Sequence, residues 1–513
     1  SVEPSRFNMG AAYVAANRYQ LDDFRPYLWK TADYGRTWTR IDNGIAATEF
    51  TRVLREDEER PGLLYAGTER GVWFSLTDGR TWQRLQFNLP PVPIHDLAVK
   101  EGDLVAGTHG RSFWILDDLS ALRQMTDPAL AGDAHLFKPR DAYRVSWGGG
   151  RGGGGGGAQQ QASTSTAPPG TAPVRPVGSN PPSGAVIQYW LRSANQEVTL
   201  EFLDAQGRLV RRFTSRLDSA AYADSIRREQ RRRSREDSLR TAGLSQDSIQ
   251  KLTRVTPDAP AALTTDEDSP RTPPVPRAPN RAGVNAFTWN MRYPEASSFQ
   301  GLIMWAASTQ GPVAPPGGYQ VRLLVNGRPA GTQTFRLLKD PRVRTVTQTD
   351  LAEQFDFLIR IRDRVSEAND AVKTIRYVRQ ELSDRQRRLS GPHAAAVRSL
   401  ATPFLDELSS VEDSIYQTRN RSGQDPLNYP IRLNNKIAAL MGVVGGSDNR
   451  PTAQSYAVFN QLSAQLDREL GRMRRAMDGT LPRINEQLRS AGEREIVPRA
   501  VDVPAQQQVA GGS

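Results

Sequence analysis

The chain contains no cysteine, which excludes disulfides, cysteine-ligated zinc or iron–sulfur centres, and a thiol nucleophile. It contains only four histidines, so chemistry that depends on imidazole is sparse. No apolar run approaches the roughly 18 residues that are needed to cross a bilayer, and no signal-like segment opens the sequence. We therefore expect a soluble chain without a transmembrane segment.

Length and composition predict several domains. At roughly 100–200 residues per domain, 513 residues correspond to about three. The hydrophobic fraction of 38% supports folded cores, whereas 42 glycines and 35 prolines require a large share of turns and linkers. The formal net charge is +11, and lysine supplies only seven of the 67 basic residues.

One short pattern occurs twice near the start of the chain. Thr31–Trp38 and Ser75–Trp82 both read Ser/Thr-x-x-x-Gly-Arg-Thr-Trp, at a spacing of 44 residues (75 − 31). Alternating apolar segments precede each copy, and a short strand pattern follows it. A third unit at 103–116 has the strands but lacks this turn. A period of this length is typical of the four-stranded blade of a β-propeller.

The repeated turn resembles the Asp-box of sialidases and sortilin-type propellers, also called the neuraminidase (BNR) repeat. The wider sequence up to Arg123, with Gly110–Leu119, is similar to the end of an exported bacterial sortilin-like propeller family that is often labelled glycosyl hydrolase. The resemblance implies that residues 1–127 form the last blades of a propeller and that the protein is periplasmic or extracellular. A closed propeller needs four or more blades, so the missing blades are expected upstream, in a removed part or on another chain.

The resemblance also implies a role for the repeated turns. In Asp-boxes this turn closes a hairpin on the outside of a blade, away from the axis where propeller sites lie. We therefore interpret Asp33 and Asp78 as turn residues rather than as a catalytic carboxylate pair. The tryptophan rings are expected to pack between strands and sheets. The residues assigned to these structural turns are Thr31, Asp33, Gly35, Thr37, Trp38, Ser75, Gly79, Thr81 and Trp82.

Other candidate groups give weak signals for chemistry. His95 and His109 lie at strand ends without a Gly-x-Ser-x-Gly nucleophile motif, which favours structural roles. The adjacent Asp117 and Asp118 are too few for a hard cation, which takes several oxygens from spaced positions. The helical part has no Glu-x-x-His pattern. We predict no catalytic, cofactor-binding or metal-binding residue.

The rest of the chain divides into four parts. Residues 128–183 read as a connector and a Gly/Pro-rich flexible linker, because the glycine run at 148–157 is not followed by the Gly-Lys-Ser/Thr of a phosphate-binding loop. Short strand patterns at 184–345 predict an immunoglobulin-like β-sandwich, and the segments at 204–211, 286–294 and 315–323 resemble the immunoglobulin-like domain of flagellar hook-capping proteins. Residues 496–513 are expected to form a loose tail.

An arginine-rich insertion at 216–281 interrupts this sandwich. Basic runs can contact nucleic acid, but acidic residues lie among the arginines and stacking aromatics are absent. We interpret the insertion as a solvated segment and expect no nucleic-acid partner.

Residues 346–495 show the hydrophobic periodicity of helices. Apolar residues recur at three- and four-residue steps from Leu351 to Leu382, with Thr349 or Asp350 as the N-cap and Gly391-Pro392 as the stop. Further helices are predicted at 393–419, 433–442 and 452–477, which together form an antiparallel bundle. The segment at 425–440 also resembles the C-terminus of the same bacterial family.

Two functions of different classes remain. We favour a non-catalytic interaction or scaffold module of the bacterial cell envelope, which binds protein partners, the missing blades among them, or serves as an extrinsic subunit of a larger membrane-associated assembly. The alternative is an exported glycan or peptide hydrolase whose active site lies in blades that this chain does not contain.

Overall fold

A computed structural model describes residues 1–145, 180–216 and 276–501. The glycine run of the predicted linker, most of the arginine-rich insertion and the end of the predicted tail lie outside the described residues.

Three antiparallel sheets follow one another at the start of the chain. In each of them sequence neighbours pair in order, as in the blades of a propeller. The first sheet consists of β1 (Val2–Pro4), β2 (Ala12–Arg18), β3 (Asp23–Thr31) and β4 (Thr39–Arg40); the second of β5 (Thr51–Glu56), β6 (Leu64–Thr68), β7 (Val72–Ser75) and β8 (Gln83–Leu85); the third of β9 (Ile94–Lys100), β10 (Asp103–Thr108) and β11 (Phe113–Leu116).

The sheets stack face to face through apolar side chains. β5 lies against β2 and β9 lies against β5, so the second sheet is covered on both faces. Adjacent residues Leu64 and Tyr65 point to opposite faces of β6, and both are fully buried. A strand that is buried on both sides reads as a continuous apolar run, as Leu63–Ala66 does. This stack fits a propeller-type protein, and the third sheet has three strands rather than four.

Two short helices connect the stack to the next region. α1 (Ser120–Gln124) and α2 (Asp127–Ala131) follow the third sheet. Arg123 of α1 donates from Nε to the fully buried carboxylate of Asp57 at 3.0 Å, and the Tyr65 hydroxyl donates to the same carboxylate at 3.1 Å. The Ala121 N–H donates to the Gln188 side chain in the following region, 3.2 Å away. These contacts fix the connection on both sides.

Two further sheets share one apolar core, formed around Trp289, Phe202 and Tyr189. One sheet has the strand order β12-β14-β17 and the other β13-β19-β18-β15-β16. Their strands are β12 (Ala134–Leu136), β13 (Ala142–Arg144), β14 (Ala185–Leu191), β15 (Val198–Asp204), β16 (Leu209–Thr214), β17 (Gly283–Trp289), β18 (Gly317–Val325) and β19 (Arg328–Lys339). The sequence predicts β14–β19, but it assigns β12 and β13 to the connector. Each of these two strands has only three residues, too few for an alternating pattern to show.

The C-terminal region is helical. It consists of α3 (Gln348–Arg388), α4 (Gly391–Ile415), α5 (Leu433–Gly445), α6 (Ala453–Gly479) and α7 (Leu481–Ser490). Thr347 caps α3 through a reciprocal capping box with Asp350, so the predicted cap at Thr349 or Asp350 is wrong by two or three residues. Sequence periodicity also misses α7. Ile496, which the sequence places in the loose tail, is buried in the helical core.

A loop of the two-sheet region enters the helical core. The segment between β17 and β18 places Phe299 edge-on against Tyr416, with ring centroids 5.0 Å apart, and under the Arg376 guanidinium. Asn369 on α3 is fully buried and donates to the backbone oxygen of Ser297. The sequence predicts a boundary between the sandwich (184–345) and the bundle (346–495). In the structure, side chains from both sides of this boundary share one core.

Phe299→Ala is expected to destabilise the helical region by about 3–5 kcal/mol, because it leaves a cavity between α3 and α4. Urea unfolding followed by hydrogen exchange in α3 measures this loss. Val443→Ala, at an exposed position of α5, is the control and should change stability by less than about 0.5 kcal/mol. Equal effects of the two substitutions would show that the loop is not part of the helical core.

Candidate interaction surfaces

The first repeated turn is closed by side-chain hydrogen bonds. The Thr37 N–H donates to Asp33 at 2.9 Å, the Thr37 hydroxyl donates to Asp33 at 2.7 Å, and the Gly35 N–H donates to the Thr31 hydroxyl at 2.9 Å. The Thr37 N–H and hydroxyl, in that order, lower the pKa of Asp33 below its ordinary value. The Asp33 carboxylate is thus used to hold its own turn.

The second turn has the same shape with a different residue in the closing position. The Thr81 N–H donates to the Thr77 hydroxyl at 3.0 Å, and the Gly79 N–H donates to the Ser75 hydroxyl at 2.9 Å. Thr77 therefore occupies the place of Asp33, whereas the sequence alone pairs Asp78 with Asp33 and predicts no role for Thr77. The matched spacing of Thr77 and Thr81 with Asp33 and Thr37 was the available signal.

Asp78 reaches across to the first sheet instead of closing its own turn. It adopts a left-handed backbone with φ of 58°, accepts the Tyr13 hydroxyl at 2.9 Å and pairs with the Lys30 ammonium. The Tyr13 hydroxyl also lies 3.3 Å from a Glu56 oxygen. Burial, and then the carboxylates of Asp78 and Glu56, raise the pKa of the Tyr13 phenol. Tyr13 is 2% exposed, so its phenol is buried between the two sheets that this tyrosine–carboxylate group joins, whereas the Asp78 side chain is 40% exposed.

The two turn tryptophans have different surroundings. Trp82 is buried, and its indole N–H donates to the backbone oxygen of Ile41 in the first sheet's connection, as expected for a ring between sheets. Trp38 is 42% exposed and donates only within its turn, to Gly35 O at 3.1 Å. The expectation of packing between sheets therefore applies to Trp82 and not to Trp38.

The two histidines lie together on the third sheet, where β9 begins and β10 ends. His95 and His109 are exposed and stack with ring centroids 4.8 Å apart. Partial burial first, and then the charges of Arg52 and His109, lower the pKa of His95. Arg52 donates two hydrogen bonds to Glu69, at 2.6 and 2.9 Å. The fold therefore brings the two histidines together, whereas the neighbouring Arg52 and Glu69 are hydrogen-bonded to each other.

The two adjacent aspartates do not converge. The Asp118 side chain accepts the Ser120 N–H at 3.0 Å at the start of α1. Burial, and then the neighbouring Asp103 carboxylate, raise the pKa of Asp117. Across the described ranges, no group of three or more acidic or histidine side chains is placed to hold a metal ion. Nor does any helix there have the length and apolar composition to cross a membrane.

Each stacked sheet has the same two faces. The third strands carry Trp29, Trp73 and Trp114 in equivalent register, paired with Val14, Ala66 and Ala106. We call the face with the tryptophan the leading face and the other the trailing face. Trp73 packs against the first sheet and Trp114 packs against the second. Each leading face inside the stack therefore covers the trailing face of the preceding sheet.

Two apolar faces remain open at the ends of the stack. On the trailing face of the third sheet, Phe113 is 74% exposed and Ile115 is 58% exposed, next to Val105. On the leading face of the first sheet, Val2 is 68% exposed and lies beside Val14 and Trp29. An antiparallel sheet with one solvated face carries polar side chains on that face. The trailing face of the third sheet has such side chains on β9, where Asp96 and Lys100 lie, but apolar ones on β11. The open faces are the candidate functional surfaces of the described chain.

No protein-family model and no curated protein matches the chain. Two solved structures resemble parts of it: YCF48 bound to D1 peptide, and the crystal structure of an ancestral GH74 enzyme. The first is 18% identical with a TM-score of 0.18 over 23% of this chain and 36% of that one. The second is 13% identical with a TM-score of 0.20 over 42% of this chain and 28% of that one. At these TM-scores neither likeness supports a conclusion about the fold, which is described from the stacked sheets themselves.

Gly79→Ala is expected to loosen the contact between the first two sheets. An added Cβ would lie 2.7 Å from a terminal carbon of Ile41, and the backbone has φ of +81°. Gly110→Ala is the matched control, because its φ is +79° and nothing lies within 4 Å of an added Cβ. Both substitutions cost about 1–2 kcal/mol of backbone strain, and Gly79→Ala should cost about 1–3 kcal/mol more. Equal losses in thermal unfolding would contradict the close packing at Ile41.

Proposed function

We propose that this chain is a non-catalytic interaction protein whose stacked sheets bind protein through their two open faces. The main support is that Phe113 and Ile115 are exposed on the third sheet, whereas the residues at the equivalent positions of the second sheet are buried. Val72 and Phe74 occupy those equivalent positions and are covered by the third sheet. Fully burying one such side chain contributes about 1.5–3 kcal/mol, so a partner has a substantial gain to realise here.

The chemistry of the face points to a protein partner that offers a sheet. β11 is the outer strand of the third sheet, and its apolar side chains alternate with Trp114 and Leu116 on the packed side. The apolar side chains of β11, beside an edge that no described strand pairs, fit another β-sheet better than a small molecule, which binds in a concave pocket.

The alternative function, a glycan or peptide hydrolase, draws no support from the groups described here. A sialidase-type site needs a tyrosine backed by a carboxylate and open to substrate. The Tyr13 group has the right components, but the tyrosine itself is buried between the first two sheets. The hydrolase hypothesis thus depends on blades outside this chain.

Three finer assignments belong to this proposal because they rest on sequence resemblance. They are the sortilin-like Asp-box family for the stack, the immunoglobulin-like type for the two-sheet region, and a periplasmic or extracellular location. A scaffold role in the bacterial envelope, including that of an extrinsic subunit of a membrane-associated assembly, follows from them.

Site-specific photo-cross-linking in the producing cells tests the proposal. A benzophenone side chain in place of Phe113 should give a protein adduct, because the trailing face is covered in the assembly. The same side chain in place of Tyr143, an exposed aromatic of the two-sheet region, is the control. We expect an adduct at position 113 that is several-fold stronger than at position 143 and maps to a strand of the partner. Equal or absent adducts at both positions would refute an interaction through this face.

A further inference from the structure

The last strands of the first two sheets have the properties of protected edges. β4 has two residues and β8 has three, and each contains an arginine, Arg40 and Arg84. Short outer strands with charged side chains are a common way to keep a sheet edge from pairing with another chain. Both four-stranded sheets of the stack therefore end in a strand that resists further pairing.

The third sheet ends differently. Its last strand, β11, is the apolar run Phe113–Leu116, without charge, proline or glycine, and it pairs only with β10 among the described strands. By register β11 corresponds to β3 and β7, because Trp114 lies at the position of Trp29 and Trp73. β11 is thus an inner strand by sequence and register, and it lies at an edge.

No described residue supplies a fourth strand to the third sheet. In the first two sheets the repeated turn leads the chain back along the third strand. After β11 the chain bends away instead: the Asp118 N–H donates to Asp103 at 2.9 Å, and the Leu119 N–H donates to the Gly102 oxygen at 2.8 Å, at the start of α1. The outer edge of β11 is therefore open in the described part of the chain.

Both fourth strands place the same residue type opposite the tryptophan. Arg40 is paired with Trp29, and Arg84 is paired with Trp73. The guanidinium carbon of Arg84 lies 5.8 Å from the centre of the Trp73 ring, which is within range of a cation–π interaction. A strand added to β11 in this register would place a basic side chain opposite Trp114.

The charge beside the open edge also suits a basic segment. Asp117 follows β11 directly and is exposed. The nearby Arg140 donates to Asp103 at 2.8 Å rather than to Asp117. Within the described ranges Asp117 forms no ion pair, so its carboxylate is available to a cation from another chain.

We propose that the edge of β11 takes up an extended segment of a protein partner, which pairs antiparallel with β11 as the fourth strand of the third sheet. The proposal rests on the proposed interaction function and names the chemistry of the partner. The segment carries a basic residue opposite Trp114 and an aliphatic residue next to it, as Leu85 follows Arg84 in β8. Main-chain hydrogen bonds supply the affinity of such an added strand, and its side chains supply the specificity.

Disulfide capture of a synthetic strand tests the register. The chain has no cysteine, so Ile115→Cys or Phe113→Cys gives the full-length protein one thiol, at an exposed position that should not alter its melting. The probes are two peptides of residues 81–87, one with Gln83→Cys and one with Leu85→Cys. By the pairing of β8, position 83 faces 115 and position 85 faces 113.

We expect each peptide to be captured several-fold more by the facing cysteine than by the other one. Directly opposite residues of an antiparallel pair lie about 4.5–5.5 Å apart, whereas diagonal ones lie about 7–8 Å apart, too far for a disulfide. The exchange of preference between the two peptides controls for the reactivity of each thiol. Equal capture of facing and diagonal pairs would overturn strand addition.

A third peptide tests the charge. It keeps Gln83→Cys and adds Arg84→Glu, so it loses the cation opposite Trp114 and brings a carboxylate towards Asp117. Its capture by Ile115→Cys should fall several-fold. Capture equal to that of the parent peptide would refute the requirement for a basic residue.

The photo-cross-linked partner identifies the source of the strand. The segment attached at position 113 should contain Arg or Lys beside an aliphatic residue. A segment without a basic residue, or one that belongs to this same chain, would refute the partner proposed here. If position 113 cross-links to another protein while the peptides show no register preference, the interaction function stands and strand addition is refuted.

Discussion

A sheet that is apolar on both faces must be covered on both faces, and this constraint governs the first part of the chain. The second sheet meets it completely, because Leu64 and Tyr65 on one strand are buried against different neighbours. The first and third sheets each meet it on one side. Their open faces are the consequence of a repeat whose every unit has the same two apolar sides, and the proposed function follows from those faces.

The two turns are closed by their own side chains, and the second turn also contacts the neighbouring sheet. Asp33 and Thr77 close two turns of one shape with different chemical groups, which indicates that the shape is what matters. Closing the second turn with Thr77 leaves Asp78 free to reach Tyr13 and Lys30 on the neighbouring sheet. A carboxylate that resembles a catalytic residue in the sequence therefore acts as a link between sheets.

The two later regions behave as one packed unit. Arg144 at the end of β13 is buried, and it donates to the Gln354 side chain and the Asp448 carboxylate of the helical region, both at 2.9 Å. Phe299 and Asn369 join the same regions elsewhere. The two regions therefore pack as one unit, and α1 contacts both this unit and the stack.

The sequence alone predicts what periodic patterns and repeats report. The 44-residue spacing locates both turns, and alternation locates the strands from Ala185 to Lys339. Patterns do not report partners that are distant in the chain: the insertion of Phe299 between helices depends on side chains more than 70 residues away. The short strands β12 and β13 carry no period, and the role of Thr77 appears only when the two turns are compared atom by atom. The sequence does not predict the open faces either, because the exposure of Phe113 depends on how distant parts of the chain pack.

Hydroxyl-radical footprinting of the protein in the producing cells tests most directly the central claim that the open faces bind protein. Phe113 and Phe87 are matched reporters, because they are 74% and 79% exposed in the single chain and only Phe113 lies on an open sheet face. The account predicts that Phe113 is oxidised several-fold more slowly than Phe87. Equal oxidation of the two phenylalanines would contradict it, because the trailing face would then be open to water in the working protein.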